Sequence, residues 1–278
     1  MVKTSMKFNL FKKNQNFQIG LDICSSGIYA VLLGKNNKNF FLKNYCFEPF
    51  KEQTIQNGTV INPVHFIETL SQLINKNHFD TEMVNIAVQS NVAFIKTVSL
   101  PYLPIDELRI IAPQEAAKHI PFSINEVNLD YEIIDNSRKK NQKEKKSEIV
   151  IVALSKAIAK NYIDLINQTG LIVTTIDVAP FAMIRTLANA DLIDNSDNLY
   201  ISVLIGDENT DINIIQKGMP LFSHNAPTGK NNIMDLLKSS QEIETSETES
   251  ILHEIVLPIS GLTGQDHQSN RAINIVRT

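Results

Sequence analysis

Cysteine is scarce in this chain. Only Cys24 and Cys46 occur among 278 residues, and no CxxC spacing links them. That leaves no thiolate zinc site and fits a reducing compartment. No run of about 18 apolar residues occurs, so no transmembrane helix is expected. The opening stretch, MVKTSMKFNLFKKNQNFQIG, has lysines and phenylalanines but no apolar core for a secretory signal. The chain reads as cytoplasmic. Its start reads as a frayed basic tail, with a weak membrane touch through Phe8, Leu10, Phe11, Lys12 and Lys13 as the alternative. Net charge is −4, so there is no bulk basic field for nucleic acid. The six histidines, His65, His78, His119, His224, His253 and His267, show no HExxH or HxH spacing, which argues against a metal site. No G-x-S-x-G nucleophile elbow appears. Glu115 and His119 stand four apart on one expected helix, the spacing of a surface pair rather than an acid–base couple.

What is present is ordinary globular composition, 43% hydrophobic and 20% charged, at a length for one large or two modest domains. Apolar patterning predicts a hairpin over 17–23 and 27–34 and a third strand over 39–47. Asn57-Gly58 marks a turn. Val64, Ile67, Leu70, Leu73 and Ile74 repeat at helical spacing over 63–77. Strands are expected at 83–88 and 92–100, around Gln89-Ser90-Asn91. A helix follows at 105–119, with a kink expected at Pro113, which cannot donate to the helical ladder. Another strand covers 127–134. The basic run RKKNQKEKK, residues 138–146, has no interleaved aromatics and reads as a solvated loop. Then strand 148–154, helix 156–168, Gly170, strand 171–177 and helix 180–189 alternate as in an α/β layer with a parallel sheet.

LYISVLIG (199–206) and DINIIQK (211–217) again flank a polar turn, Asp207-Glu208-Asn209-Thr210, and a third strand covers 219–225. Strand, polar turn, strand, strand thus occurs twice, about 180 residues apart, too far for a solenoid. Two related halves facing across a cleft would explain it. Opposed polar turns offer N–H groups and hydroxyls to a phosphate chain. Asp22 falls inside what reads as a buried strand, where a carboxylate without a partner is costly; at the strand end it would hold a hydrated magnesium ion. Alternatively, Asp22 accepts hydrogen bonds from its own turn, Ser25 and Ser26. On spacing alone the two readings stand level.

Three stretches resemble the PilM family of type IV pilus assembly proteins, a branch of the actin-like ATPase superfamily related to FtsA. They are FKKNQNFQIGLDICSSGIYAV, VSLPYLPIDELRIIAPQEAAKHIPFSINEVNLDYEII and YIDLINQTGLIVTTIDVAPFAMIRTL. The second is the most specific, through Ile120-Pro121-Phe122, Glu126-Val127 and Leu129-Asp130-Tyr131. The third carries an Asp-x-x-Pro-Phe-Ala connection. The resemblance covers about residues 8–233. It implies an α/β, actin-like two-lobe fold built from duplicated ribonuclease H-like halves, with a small inserted α/β subdomain and a shortened second lobe. The expected limits are 1–80 for the start of the first lobe, 81–153 for the insertion, 154–195 for the end of that lobe, and 196–278 for the second.

The resemblance implies an ATP and magnesium site at Asp22, Ser25, Ser26, Gly206, Asp207, Asn209, Thr210, Gly229 and Lys230, with Asp22 as the metal residue. This chain departs from the pattern. Cys24 replaces the glycine of Asp-x-Gly-Ser-Ser, adding a side chain at the pinch point and strain if φ must be positive. Leu204 replaces the second-loop carboxylate, unless Asp207 or Glu208 takes over. Pro258 to Gly264 is either a remnant of the family's adenosine loop or a linker. Pro227-Thr228-Gly229-Lys230-Asn231 fails as a Walker loop and reads as a helix start. The expectation is weak nucleotide binding with little or no turnover. The implied role is a cytoplasmic scaffold, peripheral to the inner membrane. It binds the cytoplasmic tail of a PilN-like membrane protein, along helix 105–119 and strand 92–100, and links to pilus motor ATPases or to itself. The rival reading is an active magnesium-dependent ATPase or kinase. FtsA-like tethering is weaker, because the tail DHQSNRAINIVRT supplies no convincing amphipathic helix.

Overall fold

The computed structural model describes residues 17–36, 39–135 and 146–239. The basic start, most of the run 138–146 and the stretch around Pro258 lie outside them. The elements are β1 (Ile19–Ile23), β2 (Gly27–Asn36), β3 (Asn39–Pro49), β4 (Ile55–Gln56), β5 (Thr59–Val60), α1 (Pro63–Asn77), β6 (Met83–Val88), β7 (Ala93–Pro101), α2 (Ile105–His119), β8 (Val127–Asp135), β9 (Lys146–Ser155), α3 (Lys156–Asn167), β10 (Ile172–Val178), α4 (Ala179–Asn189), β11 (Leu199–Ile205), β12 (Thr210–Gln216), β13 (Met219–Ala226) and α5 (Lys230–Ser239). They divide into two compact units. One runs to Leu204 and adds Asp211–Asn225. The other comprises Ile205–Thr210 and the described residues from Ala226 on.

The first unit is built on a five-stranded sheet of order β10-β6-β1-β2-β3. β1, β2 and β3 form an antiparallel meander, and β6 lies parallel to both β1 and β10. Ile19, Leu21, Ile23, Ile28, Ala30 and Leu32 alternate onto one face, the period-two signature of a half-buried sheet. Helix α1 meets that face with Phe66, Leu70 and Leu73, spaced at four and three. Asn62 caps α1 by accepting the His65 N–H at 3.2 Å, and Pro63 starts it where a missing N–H costs nothing. The β4–β5 turn has φ of 47° at Asn57 and 69° at Gly58, the pair of positive angles a tight hairpin needs. Tyr162 of α3, its phenol pushed up by burial, donates to the Gly58 carbonyl at 2.8 Å.

β9 differs from expectation. It does not enter a parallel layer but pairs antiparallel with β7 and β8, in a three-stranded sheet of order β7-β9-β8. Its continuous apolar run, Ile149 to Leu154, is buried on both faces. Val150, Val152 and Leu154 join the core of the five-stranded sheet, while Ile149, Ile151 and Ala153 join a separate core under α2. A run apolar on both faces records double burial, and two cores satisfy that as well as flanking helices do.

α2 runs without interruption through Pro113. Proline at that position leaves the Arg109 carbonyl, four residues back, without its helical donor. The Tyr131 hydroxyl from β8 donates to that carbonyl at 3.1 Å. The third sheet, β11-β12-β13, repeats the order of adjacent strands seen in β1-β2-β3. A small core of Ile184, Ile193 and Ile215, with Leu187 and Tyr200 against it, packs α4 on this sheet.

Tyr131→Phe is expected to lower stability by about 0.5–1.5 kcal/mol in urea denaturation, by removing the hydroxyl's bond to the Arg109 carbonyl. In a Pro113→Ala background, which returns an N–H to that carbonyl, the same change costs close to nothing. Equal costs in the two backgrounds would refute this pairing.

Candidate functional site

The first candidate loop follows β1. Asp22 alternates with buried Leu21 and Ile23 and is exposed, so the buried strand position inferred for it does not hold. The strand is half-buried, and Asp22 stands on its outer face. Cys24 is not among the described non-glycine residues with positive φ, which are Asn57, His78, Asp191 and Lys217. The strain argument against it therefore falls. Its Sγ folds back on the turn, 3.2 Å from Ser26 Oγ and donating to the Gly27 carbonyl at 3.3 Å. Its N–H also donates to that carbonyl, at 3.1 Å, and the Ser26 carbonyl accepts from the Phe50 N–H at 3.0 Å. The loop is a closed turn that accommodates cysteine.

Strand register adds a residue to which no role was assigned from sequence. Asp22 pairs with Ala87 on β6, and Ala87 pairs with Asp177 on β10. In-register residues of parallel strands share a face, so Asp22 and Asp177 stand in one row, one strand apart, with small Ala87 between them. The row lies at the carboxyl ends of the parallel strands, where open α/β sheets bind ligands. Asp177 is the first residue of the Asp-x-x-Pro motif, and that motif was the available signal. Its carboxylate pairs with Arg185 and accepts the Val178 N–H at 2.7 Å. Burial lowers the Arg185 guanidinium from its ordinary value.

The second unit gathers the remaining predicted residues. The Gly206 N–H donates to the Asn209 carbonyl at 2.8 Å, closing the turn. The Gly206 and Asp207 carbonyls accept the Lys230 and Asn231 N–H groups, each at 2.8 Å. The Gly229 N–H donates to Asn232 Oδ1 at 2.9 Å, and Thr210 Oγ1 donates to the Thr228 carbonyl at 2.6 Å. Lys230 Nζ sits 3.2 Å from Asp207 Oδ1. A Cβ on Gly229 would stand 2.6 Å from the Asp207 carbonyl and 2.7 Å from the Asn209 nitrogen, so only glycine allows this approach. The N–H groups that begin α5, the usual anion donors of a helix start, are thus spent on the chain's own loop. Asn209 Nδ2 is buried without a partner. It is an open donor in this turn.

The nine predicted residues therefore form two internally coherent groups. Asp22, Ser25 and Ser26 lie in one unit; Gly206, Asp207, Asn209, Thr210, Gly229 and Lys230 lie in the other. Asp207 does not stand free in place of the missing carboxylate at Leu204, because it pairs with Lys230. In the first unit the exposed Asp22 suits a hydrated magnesium ion; in the second the Asn209 amide is an open donor, while the helix start is spent on the chain's own loop and does not suit phosphate. Among the described residues no group of three or more His, Cys, Asp or Glu could hold a metal, and no helix is long and apolar enough to cross a membrane. Glu115 pairs with Lys118 rather than with His119.

Gly229→Ala is expected to pry the 206–210 turn off α5. Amide exchange at Lys230 and Asn231 then rises about tenfold or more, equal to ~1.4 kcal/mol of local opening. Unchanged exchange at both amides would show that the close approach does not hold the turn.

The family model described as type IV pilus assembly protein PilM matches residues 20–261. Among solved structures, the chain is similar to one from a PilM-PilN type IV pilus biogenesis complex. The TM-score is 0.74 at 19% identity, covering 95% of this chain and 73% of that one. It is also similar to the ethanolamine utilization protein EutJ from Carboxydothermus hydrogenoformans, at TM-score 0.51 and 15% identity, covering 95% and 67%. MreB5 of Spiroplasma citri bound to AMPPNP matches at TM-score 0.51 and 12% identity, covering 95% and 75%. At such identities these likenesses establish the fold, a mixed α/β actin-like ATPase fold. With most of its length matched by the family model, the chain belongs to the type IV pilus assembly protein PilM family.

Proposed function

We propose that this chain is a cytoplasmic scaffold of the type IV pilus inner-membrane assembly complex, carrying a weakened nucleotide site. Its partner is the cytoplasmic tail of a PilN-like membrane protein, and the similarity to a chain from a PilM-PilN complex supports that choice. β7, α2, β8 and β9, with their own core, serve as the inserted subdomain of the family fold. α2 and β7 are the elements that line the tail's groove. Exposed Ile105 and Ile110 on α2 give it an apolar surface there.

The observation that carries the weak nucleotide site is the closure of the 206–210 turn onto α5. Phosphate binding at that end would have to displace main-chain hydrogen bonds and the Lys230–Asp207 pair. Each 1.4 kcal/mol so lost weakens binding about tenfold. When bound, magnesium would neutralise phosphate charge, with Asp22 as the residue to hold its hydrated form. The first loop favours the rival reading, an active magnesium-dependent ATPase or kinase. There Cys24 is unstrained, and Asp22 shares its row with Asp177.

Calorimetric titration with ATP separates the two. The scaffold predicts a dissociation constant of about 0.1 mM or weaker, phosphate release at the blank rate, and retention of the partner tail in a pull-down by both wild type and Asp22→Ala. Tight magnesium-dependent binding with steady turnover, lost in Asp22→Ala, would overturn it.

A further inference from the structure

β2 and β3 outrun the sheet they belong to. β1 pairs with β2 from Ile28 to Leu32. β2 and β3 go on pairing past that point, Leu33 with Leu42, Gly34 with Phe41, Lys35 with Phe40 and Asn36 with Asn39. A two-stranded ribbon roughly 13 Å long thus overhangs β1. Its base is tied to the body. Lys43 Nζ donates to Asp80 Oδ2 at 2.8 Å, and Asn44 Nδ2 donates to the Asn77 carbonyl at 3.0 Å.

Side chains directly opposite in a ladder share a face. Leu33, Phe40 and Leu42 therefore occupy one face of the ribbon with Lys35, and Phe41 occupies the other. The Phe41 ring lies where a Cβ on Gly34 would stand, so glycine lets it spread over that face. Phe40 is 51% exposed, Phe41 50% and Leu42 60%. A strand apolar on both faces is ordinarily buried on both; this ribbon presents both to solvent. The exposed apolar area is on the order of 400 Å², a size that marks an interaction surface on a monomer. Between Asp22 and Glu48 the sequence has no acidic residue. Lys43 is answered by Asp80 at the base, while Lys35 and Lys38 belong to the overhang itself. Lys35 Nζ stands 5.1 Å from the centre of the Phe40 ring, the posture of a cation whose stem lies along apolar surface.

We propose that the β2–β3 ribbon contacts a membrane. It enters the interface of an anionic bilayer with Leu33, Phe40, Phe41 and Leu42, while Lys35 and Lys38 meet the headgroups. The geometry selects this occupant. A flat protein surface covers one face of a ribbon; a lipid interface closes over both. Interfacial burial reaches about 5–10 Å, less than the overhang, so the folded body stays in water. The β3 edge itself blocks strand addition by a second copy. Lys43 is an extra residue between the Leu32–Asn44 and Leu33–Leu42 pairs, and a bulge and an edge lysine are two devices that prevent edge pairing. One hairpin of this size gives weak, reversible attachment. The inference goes beyond the scaffold reading and does not rest on it.

The test uses the full chain and vesicles of equal parts phosphatidylglycerol and phosphatidylcholine, or of phosphatidylcholine alone, read by flotation. Wild type is expected to float with the anionic vesicles, and several-fold less with neutral ones or at raised salt. Replacing both exposed rings, Phe40→Ser with Phe41→Ser, is expected to weaken binding about tenfold or more. Lys35→Glu loses several-fold. The chain has no tryptophan, so Leu42→Trp places a single reporter on the ribbon. Its emission is expected to shift to the blue with anionic vesicles and to be quenched by lipids brominated near the headgroup end of their chains. No flotation of wild type overturns the proposal. Flotation with unshifted, unquenched Leu42→Trp emission assigns attachment to another part of the chain and overturns it. A blue shift without vesicles that grows with protein concentration, with dimer mass in light scattering, assigns the ribbon to a second copy and overturns it as well.

Discussion

The structure depends on β9 being apolar on both faces. One strand forms a wall of two cores, with Val150, Val152 and Leu154 facing the five-stranded sheet and Ile149, Ile151 and Ala153 facing α2. A strand with one polar face would leave one of those cores open to water, at a cost of roughly 25 cal/mol for each Å² of apolar surface exposed. β9 therefore ties the β7–α2–β8 layer to the main sheet through side chains as well as through chain connections. It leads directly into α3, which covers the same face of the main sheet as α1.

Hydrogen-bond satisfaction organises both candidate loops, with different consequences. After β1 the turn is closed by its own short-range bonds, and Asp22 is left outward. At the start of α5 the loop closes on the helix, and the donors a phosphate would use are taken by Gly206 and Asp207. A helix start attracts anions because its first N–H groups lack partners. Once those groups are paired, only the dipole remains, and an exposed dipole contributes about 0.3–1 kcal/mol. The same residue types in the same order thus make a strong or a weak anion site according to where the neighbouring carbonyls point. Spacing carries no information on that.

The meander β1–β3, α1 and the β4–β5 turn were legible because each depends on a local signal: period-two alternation, three-and-four spacing, Asn-Gly. What was not legible depended on distant residues. An apolar run at 149–154 announced double burial without saying between what. Pro113 announced a missing donor, but its substitute is Tyr131, eighteen positions on. Asp22 was read as buried because its neighbours are apolar, although alternation in Leu21-Asp22-Ile23 already placed it on the opposite face. Asp177 was quoted within a motif yet gained significance only from its register with Ala87. Cys24 was weighed as an intruder into a glycine position, and the backbone turned out not to require glycine there.

The polar cluster between β7 and β13, each an edge strand of its sheet, shows why the two edges stay apart instead of closing into a ladder. Buried Asp211 on β12 accepts from both Ser90 Oγ and Asn225 Nδ2, so one carboxylate holds the turn before β7 and the end of β13. Water is largely excluded there, and a hydrogen bond to a charged group contributes about 1.5–3 kcal/mol. At the other end Pro220 offers β7 a carbonyl but no N–H, so a reciprocal main-chain pair cannot form across that point. The two strands are fixed near each other and prevented from zipping by the residues that fix them.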